Sequence, residues 1–131
     1  MWNAFAVFIG GGLGSLARWA VSGLIATRLT GTFPWGTFLV NITGCFAIGL
    51  FATLTAPQGR WAGPVTVQQF LLVGICGGYT TFSAFSLQSL QLLQSGEWMK
   101  ALAYTVASVL LCLAGVWLGH LFAVNFNSLK G

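Results

Sequence analysis

The chain has 131 residues, of which 56% are hydrophobic and 5% charged, and Glu97 is its single acidic residue. A soluble domain cannot cover its surface with so few polar groups, so the composition describes an integral membrane protein. Arg18, Arg28, Arg60, Lys100 and Lys130 give a formal charge of +4, but they stand singly. Neither a nucleic-acid footprint nor a polybasic lipid patch can be built from isolated charges.

At roughly 20 apolar residues per crossing, the chain holds four spans, predicted at 4–27, 36–55, 65–93 and 98–124 in one transmembrane domain. The first lacks a basic leader region and carries Arg18 with many glycines, so it reads as a retained helix rather than a cleaved signal. Gly10 and Gly14 form a GxxxG pair there, and Gly44 and Gly49 thin the second span. Small residues of this kind serve close packing either within one subunit or between two. The connecting stretches are short and carry turn residues: Thr30 to Pro34, Ala56 to Pro64, and Gln94 to Glu97 around Gly96. Trp2, Trp35, Trp61 and Trp98 sit near span ends, where an aromatic belt belongs.

The third span is the anomaly. From Gly74 to Ser89 it reads GICGGYTTFSAFSLQS, a run of glycines, hydroxyls and phenylalanines inside a segment that as one helix would measure about 40 Å against a hydrocarbon core of about 30 Å. A break in that helix is predicted. Broken backbone at membrane depth frees carbonyls that lipid cannot satisfy, so it must be buried, bind an ion or line water.

Four helices joined by short loops place both termini on one side, with Arg60 and Lys130 there against Arg28 and Lys100 opposite. The positive-inside count is tied. A tie permits insertion in both orientations and pairing of inverted copies, unless Arg18 or the amino terminus decides it.

No span contains Asp or Glu, so a small proton-coupled exporter that works through an intramembrane carboxylate has no carrier here. Arg18 either snorkels beside Trp19 or sets a positive potential at the mouth of an anion route. Thr37 and Asn41 share a face at i, i+4, and the Asn41 amide either binds a neighbouring helix or offers donors to a dehydrating anion. Tyr104, Ser108 and Cys112 form a stripe on the fourth span. Phe82 and Phe85, at i, i+3 beside Ser86 and Ser89, are either packing residues or ring edges able to approach an anion. The lining holds donors without acids, which favours an anion.

Enzymatic chemistry has no carriers: His120 stands alone, and the glycines from Gly10 to Gly14 lack the lysine and strand of a phosphate loop. Cys45, Cys76 and Cys112 show no ligand spacing and read as reduced packing residues.

GGGLGSLARW, WGTFLVNITG and GGYTTFSAFS in the first three spans resemble the bacterial fluoride channels of the Fluc (CrcB) family, and the likeness covers the whole chain. The resemblance implies an all-α membrane protein forming an antiparallel, dual-topology homodimer in the bacterial inner membrane. Two pores would pass fluoride outward passively, lowering its cytoplasmic level. It implies a structural sodium ion held by backbone carbonyls of Gly77 and Thr80 from both subunits. It also implies a pore lined by Asn41, Phe82, Ser83, Phe85, Tyr104 and Ser108, with Arg18 in the vestibule. Gln88 stands where several members have Glu, and Cys112 where some have Ser, so no carboxylate or hydroxyl role passes to them. The competing readings are a proton-coupled multidrug exporter and a non-transporting membrane subunit.

Overall fold

Apolar stretches without internal proline can satisfy their backbone groups in lipid only as helices. In the computed structural model, which describes residues 1–129, every regular element is helical. Lys130, counted above on the terminal side, lies outside the described residues. Helix α1 runs Trp2–Arg28, α2 Trp35–Thr55 and α6 Trp98–Ser128. Each contains its predicted span and extends it by one to four residues at one or both ends.

The third span is interrupted, as its length requires. It begins as α3, Val65–Gln68, widens into a π-helical segment, Gln69–Cys76, and returns to a single turn, α4, Gly77–Tyr79. Thr80 (φ −81°, ψ 160°) and Thr81 (φ −155°, ψ 116°) are then extended, and α5 resumes over Phe82–Gln94. The eight-residue π stretch was not expected from the sequence; such turns recur at functional sites. All four spans are long and apolar enough to cross a membrane, so the chain is a multi-pass membrane protein.

Glycine decides which helices touch. A Cβ at Gly10 would lie 2.6 Å from the Phe70 carbonyl oxygen, and one at Gly14 would overlap that of Ile75. The GxxxG pair therefore seats α1 on the π segment of the same subunit. In the other half of the molecule, α2 and α6 make the longest seam, where Gly49 meets the Val116 carbonyl and Gly119 meets that of Phe46. Close backbone approach substitutes for the hydrophobic driving force that lipid lacks.

The ends are tied by turn chemistry. Gly96, at φ +79°, follows α5 while Gly96 N–H donates to Leu93 O (3.1 Å) and Glu97 N–H to Leu92 O (2.9 Å), a Schellman arrangement. Lys100 reaches Thr32 at 2.7 Å and Glu97 at 2.9 Å, joining two turns at one end. Arg60 joins the other end: its backbone N–H donates to Asn127 Oδ1 (3.0 Å), and its guanidinium lies 4.5 Å from the Phe126 ring centroid. These contacts put Arg28 and Lys100 at the end opposite Arg60.

Candidate functional site

Extended residues inside a helix leave donors and acceptors without partners, and the surrounding side chains meet most of that demand. Asn41 of α2 acts as a backbone surrogate: its Nδ2 donates to Thr81 O (3.0 Å) and its Oδ1 accepts from Thr81 N–H (2.8 Å). Thr81 in turn caps α5, its Oγ1 accepting from Ala84 N–H (3.2 Å). Arg18 donates to Thr80 O at 3.4 Å, and Ser15 Oγ lies 3.5 Å from Gly78 O. Thr81 N–H, the donor that a continuous helix would give to Gly77 O, is committed to Asn41. Among the described residues no other backbone or side-chain donor reaches the Gly77 carbonyl, and Gly77 is exposed on the single chain.

Two cavities flank the break and share Thr81. One, of about 260 Å³, lies between α2, α5 and α6, where Asn41, Phe82, Phe85, Ser108 and Cys112 reach it. The other, of about 570 Å³, opens beside α1 and includes Ser15, Arg18, Trp19 and Ser83. A wider bowl of about 780 Å³ continues from it past Ser22 and Thr37 to Gln88 and Gln91. None of the three is lined by an acidic residue.

The two phenylalanines differ in environment. Phe85 is 8% exposed and packs with Tyr104 (centroids 5.1 Å) in a core with Phe38, Leu92 and Ala101. Phe82 is 77% exposed, with its centroid 5.3 Å from that of Phe85 at an interplanar angle of 44°. Tyr104, fully buried, donates its hydroxyl to Gln88 Oε1 at 3.0 Å. Ser83 Oγ lies 3.2 Å from Thr81 Oγ1 on the Arg18 side. Ser108 is the one buried side chain among the described residues whose polar atom has no partner.

The predicted residues thus fall into two groups around one interruption. Asn41, Phe82, Phe85 and Ser108 meet in the smaller cavity; Arg18 and Ser83 meet in the larger; Tyr104 backs the first through Phe85 and faces Gln88. Asn41 has one amide N–H engaged by Thr81, which leaves the second for the cavity. Reasoning from sequence did not single out Thr81, whose backbone and side chain both hold the break, nor Ser15. The signal was a second threonine immediately before a helix restart, the N-cap position.

A model of the CrcB-like family, described as camphor resistance protein CrcB, matches residues 5–120. A protein of Opitutus terrae named fluoride-specific ion channel FluC is 54% identical over 125 residues, 95% of each chain. Proteins of the same name from Rhodospirillum rubrum and Methylocella silvestris are 55% identical over 121 residues and 46% identical over 125. They share 92% and 95% of this chain, and 94% and 95% of their own lengths. With a family model spanning most of its length and relatives this similar from end to end, the chain belongs to the CrcB family.

Proposed function

We propose that this protein is a fluoride-selective channel of the bacterial inner membrane that lets fluoride leave the cytoplasm passively. The observation that carries the reading is an acid-free cavity lined by Asn41, Phe82, Phe85 and Ser108, the last with a buried hydroxyl that has no partner among the described residues. Fluoride is small and strongly hydrated, so a route for it must replace shed water with fixed donors. A buried hydroxyl without a partner costs about 1–3 kcal/mol. An anion passing within reach offsets that cost. Ring edges carry positive quadrupole and add a weak, dry contact. Arg18, a permanent cation lining the larger cavity, raises the local anion concentration. Relatives named as ion channels support transport over catalysis, and the chain is not an enzyme.

The functional unit is an antiparallel homodimer with two pores. Its support is Gly77, exposed on the single chain and with a carbonyl that no donor among the described residues reaches: a bare acceptor at membrane depth needs cover, and an inverted second copy supplies it. The same carbonyl fits a structural sodium ion. Gly77 O has no donor among the described residues, and Thr80 O has a second lone pair beyond its long contact with Arg18. Neither needs an acidic side chain, and hard oxygens suit a hard cation. One subunit offers too few such oxygens, so the shell would be completed by the partner. Exchanging sodium for N-methylglucamine is expected to lower the dimer's thermal stability; an unchanged midpoint would remove the ion from the interface.

Efflux from liposomes loaded with fluoride or chloride, with a potassium ionophore present, tests the function. Fast fluoride release with chloride retained is expected. Sealed liposomes would leave the non-transporting reading, and proton-driven accumulation of a cationic dye would favour the exporter.

A further inference from the structure

Cys112 lines the smaller cavity, and so does Cys45 of α2. The two residues sit on facing helices, α2 and α6, at the wall of the same space. A Cβ built at Gly115, one helical turn beyond Cys112, would stand 3.6 Å from Cys45 Cβ, which places Cys45 directly on α6. Both cysteines are partly accessible and neither is in a disulfide. Cys76, by contrast, is 2% exposed and does not reach the cavity. Fluoride conduction as proposed above uses neither thiol.

We infer that Cys45 and Cys112 form a two-thiol site for a soft, thiophilic d10 cation, and that its occupation closes the proposed fluoride route. Two cysteines on one cavity wall without a carboxylate or imidazole select ions that accept two thiolates, such as mercury(II), and offer nothing to magnesium or calcium. Access does not require a free cation to cross an anion route, because mercury(II) in chloride solution is present as neutral HgCl2. The reaction balances without a redox partner. Each thiol loses its proton, two chlorides leave the metal, and a sulfur–mercury–sulfur bridge forms with release of two protons and two chlorides. The bridge places a large ion against Phe85 and Ser108, in a space of about 260 Å³.

The blockade rests on the fluoride-channel reading; the metal site does not. The experiment therefore has two readouts on purified full-length protein, with HgCl2 as the probe. In liposomes, a small molar excess of HgCl2 is expected to cut wild-type fluoride efflux at least about tenfold, with recovery on adding excess dithiothreitol. Cys45→Ala and Cys112→Ala should each retain most of their own starting flux, whereas Cys76→Ala should block like wild type. Intact mass under non-reducing conditions should show one mercury gained with two hydrogens lost in wild type and Cys76→Ala. The two cavity variants should show a chloromercury adduct with one hydrogen lost, or none. Retention of the two-hydrogen bridge in both cavity variants, or its loss in Cys76→Ala, overturns the site. A normal bridge with undiminished flux overturns the blockade. If no protein conducts before mercury is added, the channel reading has failed, and the mass readout still decides the site.

Discussion

Ser108 separates function from stability more cleanly than any other side chain here. Its hydroxyl is buried without a partner, so the folded protein carries the desolvation cost of a group that a passing anion would use. Ser108→Ala should therefore raise the thermal midpoint, by the equivalent of about 1–3 kcal/mol, while lowering fluoride flux. A lowered midpoint would show that the hydroxyl is satisfied in the protein and is no waiting donor. The phenylalanines give the complementary contrast. Phe85→Ile gives up aromatic contacts to Phe82 and Tyr104 in the core, each worth about 0.5–1.5 kcal/mol beyond area, and should lose both stability and flux. Phe82 is mostly exposed in the single chain, so Phe82→Ile should lose flux with little change in the midpoint. Equal flux in both variants and wild type would take the rings out of the pathway.

At the level of helices, the interruption at Thr80 and Thr81 depends on Asn41. Asn41→Asp keeps the acceptor for Thr81 N–H but sets a carboxylate oxygen against Thr81 O, where Nδ2 now donates at 3.0 Å. We expect a stability loss of about 1–3 kcal/mol with flux suppressed; a variant as stable and as conductive as wild type would mean that the amide neither holds the break nor lines the route. The α1 contact makes an equally local test. Gly14→Ala drives a methyl into the Ile75 carbonyl and should prevent accumulation of folded protein, whereas a Cβ at Gly12 meets nothing within 4 Å and Gly12→Ala should fold normally. Three of the four spans could be read to within four residues at either end, because lipid allows one solution to an apolar run of that length. The break was legible from length and glycine content. Its place just before Phe82 was legible too; what the sequence did not show is that Asn41, forty residues away, holds it by bonding the Thr81 backbone. The π segment was hidden for a similar reason: it accommodates Gly74 against Gly10, a contact between helices that no periodicity within one helix records. In the same way, sequence left the GxxxG pair open between two uses, and the carbonyls facing it assign it to packing within the subunit.

For the molecule as a whole, assembly from inverted copies requires chains of both orientations, and the charge distribution bears on how many of each are made. Arg28 and Lys100 lie at one end, and Lys100 is already paired with Glu97 at 2.9 Å; Arg60 lies at the other end against Phe126. A difference this small can be tipped by two added lysines, since short loops next to span ends dominate the positive-inside bias. Thr30→Lys with Gln94→Lys adds charge at the Arg28 end, and Gln58→Lys with Ala62→Lys adds it at the Arg60 end; all four positions are exposed. Each double variant expressed alone should insert in one orientation, measured by impermeant labelling of an added terminal cysteine, and should lose most fluoride efflux for want of an inverted partner. Expressing the two together should restore efflux, because each supplies the orientation that the other lacks. Full conduction by either variant alone, once its orientation is shown to be uniform, would mean that parallel copies or a single subunit enclose the route, and the unpartnered Gly77 carbonyl would then need another cover.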